Sequence, residues 1–183
     1  MAELRITGGE LGGRRIRAPR RRNHALRPTT ERVREALFAI LGDVSGLRVL
    51  DLFAGTGALA IEALSRGASR ATLVDRDTRL ARRNLEHLGL GERAETRRSD
   101  AARFLRRAEP GSFDLVLCDP PYGLPDRARR QLEPSIARAV AAGGRAVVES
   151  APDSGLRLEL PLLAERRYGD TLVRVHAGPK EAA

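Results

Sequence analysis

The chain is predicted to adopt an α/β fold of the Rossmann-like kind: a central, mostly parallel sheet, helices on both faces, and an antiparallel C-terminal strand. Three observations predict it. From about residue 30 onward, short apolar runs alternate with helical patterns, and such alternation builds parallel sheets covered on both faces. A glycine turn, Gly55-Thr56-Gly57, joins one apolar run to a helix, and an acidic residue, Asp75, ends the next run. That pairing is the one nucleotide-binding sheets use.

The elements follow in order. Residues 1–28 are rich in Gly, Arg and Pro, and "LRIT" and "RRIRA" around "GGELGG" read as a short β-ribbon. This basic extension is treated as packed on one domain spanning residues 29–183. Val33, Ala36, Leu37, Ile40 and Leu41 keep helical spacing, with Thr29 or Thr30 as N-cap and Gly42 as the stop. "RVLDLF" is a buried strand, followed by a helix from about Gly57 to Ser65. "ATLVD" is the next strand, and Asp77 is expected to cap a helix carrying Leu80, Asn84, Leu85 and Leu88 on one side. "AETRRS" reads as a weak strand and "DAARFLRRA" as a short helix. "FDLVLC" is a strand, a helix covers about Asp126 to Ala141, and "RAVVES" is the next strand. "RLELPLLAERRYGDTLVRVH" reads as strand, loop and final strand, with "YGDT" as a turn.

Composition narrows the function. A chain of 183 residues with 42% apolar content suits one globular domain. No apolar run approaches the roughly 20 residues of a spanning helix, and "MAELRITGG" has no apolar core of a secretory signal. The expected location is the cytoplasm, with no membrane partner. One cysteine, Cys118, excludes an internal disulfide, and three scattered histidines make no metal-ligand spacing. Net charge is +9, carried almost wholly by arginine, since Lys180 is the only lysine. Arg5, Arg14, Arg15, Arg17, Arg20, Arg21, Arg22, Arg27, Arg32 and Arg34 crowd the start. Guanidinium groups fork onto phosphate, so this tract points to a polyanion such as nucleic acid.

The glycine turn points to a ligand. Glycine there permits positive φ and lets a ligand touch the backbone, while the helix start offers free N–H groups. Asp75 is placed to take the two hydroxyls of a ribose. Gly55-x-Gly57-x-x-Ala60 also meets a loose dinucleotide pattern, so NAD stays an alternative. Asp51, four residues before Gly55, favours a ligand with an ammonium and repels a pyrophosphate. S-adenosylmethionine (SAM) carries an ammonium and a sulfonium. Asp100 is placed to accept from an adenine amino group, or to cap the following helix, or both.

"VLCDPPYG" ends an apolar strand in a carboxylate, a stiff backbone and a ring. Ligands in such sheets lie beyond the carboxyl ends of the strands, so Asp119-Pro120-Pro121-Tyr122 would face the cofactor's reactive end. An exocyclic amine of a base is a poor nucleophile because its lone pair is delocalised. Asp119 and the rigid Pro120 carbonyl can hold its two hydrogens and aim the lone pair at a methyl. Tyr122 can stack on the base, worth about 1–3 kcal/mol.

"DLFAGTG" and "DPPY" resemble motifs I and IV of class I SAM-dependent amino-methyltransferases. The [DN]-P-P-[YF] motif is shared by enzymes acting on DNA adenine, RNA guanine and protein glutamine. "LRPTTERVREALF", with "RITGGELGGRRI" before it and "ALSRGA" after motif I, closely resembles the bacterial 16S ribosomal RNA guanine-N2 methyltransferase family over roughly Leu4 to His176. The resemblance implies a class I methyltransferase using SAM as cofactor. Gly55, Gly57, Asp51, Phe53, Asp75, Asp100, Ala101 and Thr30 would lie around SAM, and Asp119, Pro120 and Tyr122 would receive the guanine. Arg14 and Arg15 would meet RNA, and Arg27, Arg32 and Arg34 would meet RNA phosphate or fix the segment that carries them. The implied substrate is 16S rRNA within a 30S subunit or an assembly intermediate, and the protein is expected to act as a monomer. The readings that compete are a DNA adenine-N6 methyltransferase, an NAD-linked oxidoreductase and a non-catalytic RNA-binding assembly factor.

Overall fold

The computed structural model describes residues 2–19, 31–121, 123–152 and 155–180. The chain begins with a ribbon of two strands, β1 (Ala2–Arg5) and β2 (Arg15–Ala18), paired antiparallel with Leu4 opposite Ile16. Then come α1 (Glu31–Leu41), β3 (Arg48–Leu52), α2 (Ala58–Ser65), β4 (Arg70–Asp75), α3 (Arg79–Leu88), β5 (Ala94–Arg98) and α4 (Ala101–Leu105). The second half holds β6 (Phe113–Cys118), α5 (Asp126–Ala139), β7 (Val140–Ser150), β8 (Leu162–Tyr168) and β9 (Thr171–Ala177).

The main sheet has seven strands in the order β5-β4-β3-β6-β7-β9-β8. The strands from β5 to β7 are parallel, and β9 runs antiparallel to both its neighbours. After β3 the chain moves outward through β4 and β5, then returns to the other side of β3 as β6. The strand order therefore reverses between β3 and β6, and a crevice opens there beyond their carboxyl ends.

Two apolar clusters cover the two faces. Val49 of β3 joins one, with α1, α2 and α3 supplying Leu37, Ile61 and Leu85. Leu50 and Leu52 join the other, with α4 and α5 supplying Leu105, Leu132 and Ile136. The alternation along β3 is the period of two of a strand buried on both sides.

The ribbon is fastened to the first face through its backbone. Thr7 donates from its amide at 2.9 Å and from Oγ1 at 2.6 Å to the Glu62 carboxylate. Ser65 Oγ accepts from the Leu11 amide at 2.9 Å and donates to the Gly8 carbonyl at 2.5 Å. Gly9, at φ 75°, passes so close that a Cβ would stand 1.8 Å from the Ser65 carbonyl oxygen. No other residue fits that contact.

Three expectations need correction. The "RLEL" stretch is not a strand: Leu158, like Leu156 just before the stretch, is buried in the second cluster, and the Arg157 amide donates to Glu133 of α5 at 2.7 Å. Those leucines alternate because they plug a helix face, and the strand begins only at Leu162, after Pro161. Asp77 lies one residue before the N-cap, Thr78, although its carboxylate does accept from the Arg79 amide at 3.1 Å. Ala81, rather than Leu80, is the buried partner of Asn84, Leu85 and Leu88 on α3.

Candidate active site

Leu52 pairs with Cys118 at the carboxyl ends of β3 and β6. The next residues, Phe53 and Asp119, therefore leave the sheet side by side. This register brings the glycine turn and the "DPPYG" loop to one crevice. Asp75 and Asp100 come to the same end, because Asp75 pairs with Arg98 at the tips of β4 and β5.

The turn after β3 is held in an unusual backbone shape. Phe53, Gly55 and Gly57 have φ of 60°, 53° and 80°. Phe53 is the only non-glycine residue with positive φ among the described residues, and such strain concentrates at functional loops. The two glycines differ in role. A Cβ on Gly57 would meet Leu73 Cδ2 at 2.9 Å, so this glycine lets α2 pack closely on the sheet. A Cβ on Gly55 would meet nothing nearer than the Phe53 carbonyl at 3.9 Å, so its exposed backbone is open to a ligand.

The acids around the turn are unlike one another. Asp51 is 1% exposed, and its Oδ2 accepts from the Ala60 amide at 3.1 Å. Burial, reinforced by the negative charge of Asp75, pushes its carboxyl up to about 7 despite that hydrogen bond. Asp75 is half-buried and accepts from the Gly55 amide at 2.9 Å with Oδ2 and from the Asp77 amide at 3.0 Å with Oδ1. Each oxygen keeps a lone pair for a further donor. Asp100 caps α4, its Oδ1 accepting from Ala102 at 3.0 Å and Arg103 at 3.3 Å. Its Oδ2 accepts from Arg76 at 2.8 Å, and that guanidinium holds the carboxyl below its usual range. Ala101, beside it, is buried.

Asp119 and Pro120 are half-buried at the mouth of the crevice. Next to them a cleft of about 360 Å³ is lined by Pro120, Pro121, Leu124, Arg129, Ser150 and Leu156 among others. Burial pushes the Cys118 thiol well up, so it stays protonated beneath the loop and is no nucleophile. A second hollow of about 360 Å³ lies on the ribbon between Glu3, Arg5, Arg15 and Glu31. Its residues form ion pairs with one another, Arg5 with Glu31 and Arg15 with Glu3, and it is lined by none of the crevice residues.

The arginines divide. Arg14, Arg15 and Arg32 are exposed. Arg15 pairs with Glu3 at 3.0 Å, and Arg14 reaches the His87 carbonyl at 3.5 Å. Arg34 corrects the RNA-phosphate reading and leaves that of a residue fixing its segment. It is 1% exposed, donates to the Arg5 carbonyl at 2.6 Å and lies 3.8 Å from the Glu62 carboxylate. It fixes the ribbon to α1 and cannot meet RNA. Thr30, Arg27 and Tyr122 lie outside the described residues. Sequence reasoning missed Glu62 and Asn84, both 1% exposed. The signal was a polar residue inside an apolar helical stripe in each case. Among the described residues there is no cluster of metal-ligating side chains and no helix long and apolar enough to cross a membrane.

Comparisons with known proteins agree with this layout. The family described as Conserved hypothetical protein 95 matches residues 4–177. The Bacillus subtilis protein YlbH, named as an rRNA methyltransferase, is 41% identical over 126 residues, 65% of this chain and 67% of its own. The Escherichia coli ribosomal RNA small subunit methyltransferase D is 40% identical over 124 residues, 66% of this chain and 61% of its own. The aligned segment thus spans less than two thirds of that enzyme. The solved structure of the E. coli protein yhhF, named as a methyltransferase, superposes with a TM-score of 0.79 at 33% identity, covering 98% of this chain and 100% of that one. The fold is that of the class I methyltransferases, and by the span of the match the chain belongs to the Conserved hypothetical protein 95 family.

Proposed function

We propose that this protein transfers a methyl group from SAM to the exocyclic N2 of a guanine in 16S rRNA, within a 30S subunit or an assembly intermediate. One observation carries the reading: paired strand ends deliver the glycine turn and the Asp119-Pro120 loop to the same crevice. The E. coli relative named for small-subunit rRNA methylation supports the substrate class.

The residues fit the cofactor. Gly55 offers backbone with space above it, Asp75 keeps lone pairs for ribose hydroxyls, and Asp51 is a buried carboxylate in need of a cation. A dinucleotide's pyrophosphate would meet Asp51 and Asp75 as like charges, which disfavours NAD. When bound, SAM supplies an electrophilic methyl on a sulfonium. The chain's own groups do the aligning. Asp119 and the Pro120 carbonyl accept the two N–H hydrogens of the target amine, and the proline ring fixes the carbonyl's direction. Tyr122 stacks on the base and offsets part of the few kcal/mol needed to unstack it. No strong base is required, because the amine loses its proton once methylated. Arg14, Arg15, Arg27 and Arg32 meet phosphate.

Asp119→Ala tests the division of labour. Methyl transfer to RNA should vanish while the dissociation constant for SAM stays within a few-fold, because Asp119 acts on the base. Collapse of SAM binding in that variant would show the assignment to be wrong.

A further inference from the structure

We infer that Asn84 is a positioning residue joining the ribbon to the cofactor turn, so that RNA held by the ribbon and nucleotide held at Gly55-Thr56-Gly57 strengthen each other's binding. The inference rests on the reading that the turn binds SAM and the ribbon binds RNA. Asn84 sits on α3, 1% exposed, in a stripe otherwise made of Ala81, Leu85 and Leu88. Its carboxamide makes three hydrogen bonds. Oδ1 accepts from the Arg17 amide at 2.9 Å, and Nδ2 donates to the Arg17 carbonyl at 3.0 Å and to the Thr56 carbonyl at 2.9 Å. The partners dictate the orientation of the group: two carbonyls need the nitrogen, and one N–H needs the oxygen.

The side chain thus treats Arg17 of β2 as a neighbouring strand would, taking its donor and its acceptor together. With its remaining N–H it holds the residue between the two left-handed glycines. The turn is gripped from two sides, by Asn84 at the Thr56 carbonyl and by Asp75 at the Gly55 amide. Arg17 turns its side chain outward, exposed beside Arg15, while its backbone is tied inward. A phosphate that steadies β2 therefore steadies the turn through one rigid carboxamide, and a nucleotide that steadies the turn steadies β2. A freedom lost to the first ligand need not be lost again to the second, which gives positive coupling. Linkage makes the effect equal in both directions. No other side chain of this size fits. Aspartate has no donor for two carbonyls, and leucine has no polar atom for any of the three.

The test compares the affinity for S-adenosylhomocysteine, which transfers no methyl, with and without small ribosomal subunits, as the RNA ligand, from cells lacking this protein. In the wild-type protein RNA should tighten nucleotide binding about 5-fold or more. In Asn84→Ala the nucleotide alone should bind about 2- to 10-fold more weakly, and the tightening by RNA should disappear. Asn84→Asp, which keeps the bond from the Arg17 amide, should lose the coupling too. Hydrogen exchange on the unsubstituted protein gives a check that needs no variant: RNA without nucleotide should slow exchange in the peptide containing Thr56 and Gly57. Wild-type protein that binds both ligands without coupling, variants that keep it, or exchange unaltered by RNA would overturn the inference alone. Wild-type protein that binds neither ligand would overturn the functional reading, and the inference with it.

Discussion

Lowering the pH from 7 to 5.5 should weaken SAM binding about 16-fold, and Asp51 should be the cause. The carboxyl is fully buried, and burial raises it to about 7, so it titrates near neutral pH. Only the ionised form attracts the ammonium of SAM. The apparent dissociation constant therefore rises as the ionised fraction falls, from about one half at pH 7 to about 3% at pH 5.5. Above pH 7 this limb flattens, and loss of the ligand's own ammonium proton takes over. The sign for stability is opposite. A carboxyl raised from 3.8 to about 7 binds its proton more tightly in the fold than in the unfolded chain. The ligand-free fold is therefore penalised as pH rises through that window, by about 4 kcal/mol at pH 8. Asp51→Asn should raise the melting temperature of the ligand-free protein at pH 8, weaken SAM at pH 7 and abolish the acid limb. Calorimetric titration from pH 5.5 to 8 on both proteins is the assay. Affinity that is flat between pH 7 and 5.5, or an acid limb that survives in Asp51→Asn, would refute the reasoning.

The remaining predictions concern separate parts of the molecule. Asp75→Ala should weaken SAM about 10-fold or more with little change in RNA affinity, measured by titration of each ligand; the reverse pattern would remove Asp75 from the ribose. Gly57→Ala should destabilise the fold by about 1–3 kcal/mol in denaturant unfolding, because the new Cβ would meet Leu73 Cδ2 at 2.9 Å. Arg34→Ala should cost about 1–3 kcal/mol, because the Arg5 carbonyl loses its donor while Glu62 keeps Arg66 and Thr7 as partners. Arg32→Ala, on the exposed side of α1, should stay within about 0.5 kcal/mol, and equal losses would mean that Arg34 is not the anchor described. Neutralising Arg14, Arg15 and Arg27 together should flatten the salt dependence of RNA binding by about 0.7–0.9 log units for each phosphate left without its arginine. An unchanged slope would move the RNA surface elsewhere.

The parallel sheet and its crevice were legible because their signals are local. An apolar strand runs into a glycine turn at "VLDLFAGTG" and another ends in an acid at "ATLVD", and both strands formed where their patterns lay. What escaped was decided by tertiary packing. Arg34 shares a helical face with Phe38 and Leu41, at spacings of four and seven, yet charge suggested a surface role. Burial won because Glu62 and the Arg5 carbonyl receive the guanidinium. Asn84 was read as one more position of an apolar side, whereas its partners, Arg17 and Thr56, lie 67 and 28 residues away. "RLEL" alternates as a strand does, but its backbone is claimed by Glu133. The placement of Asp119 next to Phe53 follows from the pairing of β3 with β6, which periodicity along the chain does not encode.

The most direct test uses small ribosomal subunits from cells lacking this protein, incubated with purified protein and SAM labelled in its methyl group. The RNA is then digested, and the labelled nucleoside and its position are identified. A single N2-methylguanine in 16S rRNA, absent with Asp119→Ala, is the predicted result. No label in the RNA while SAM still binds, or label on adenine, would contradict the account.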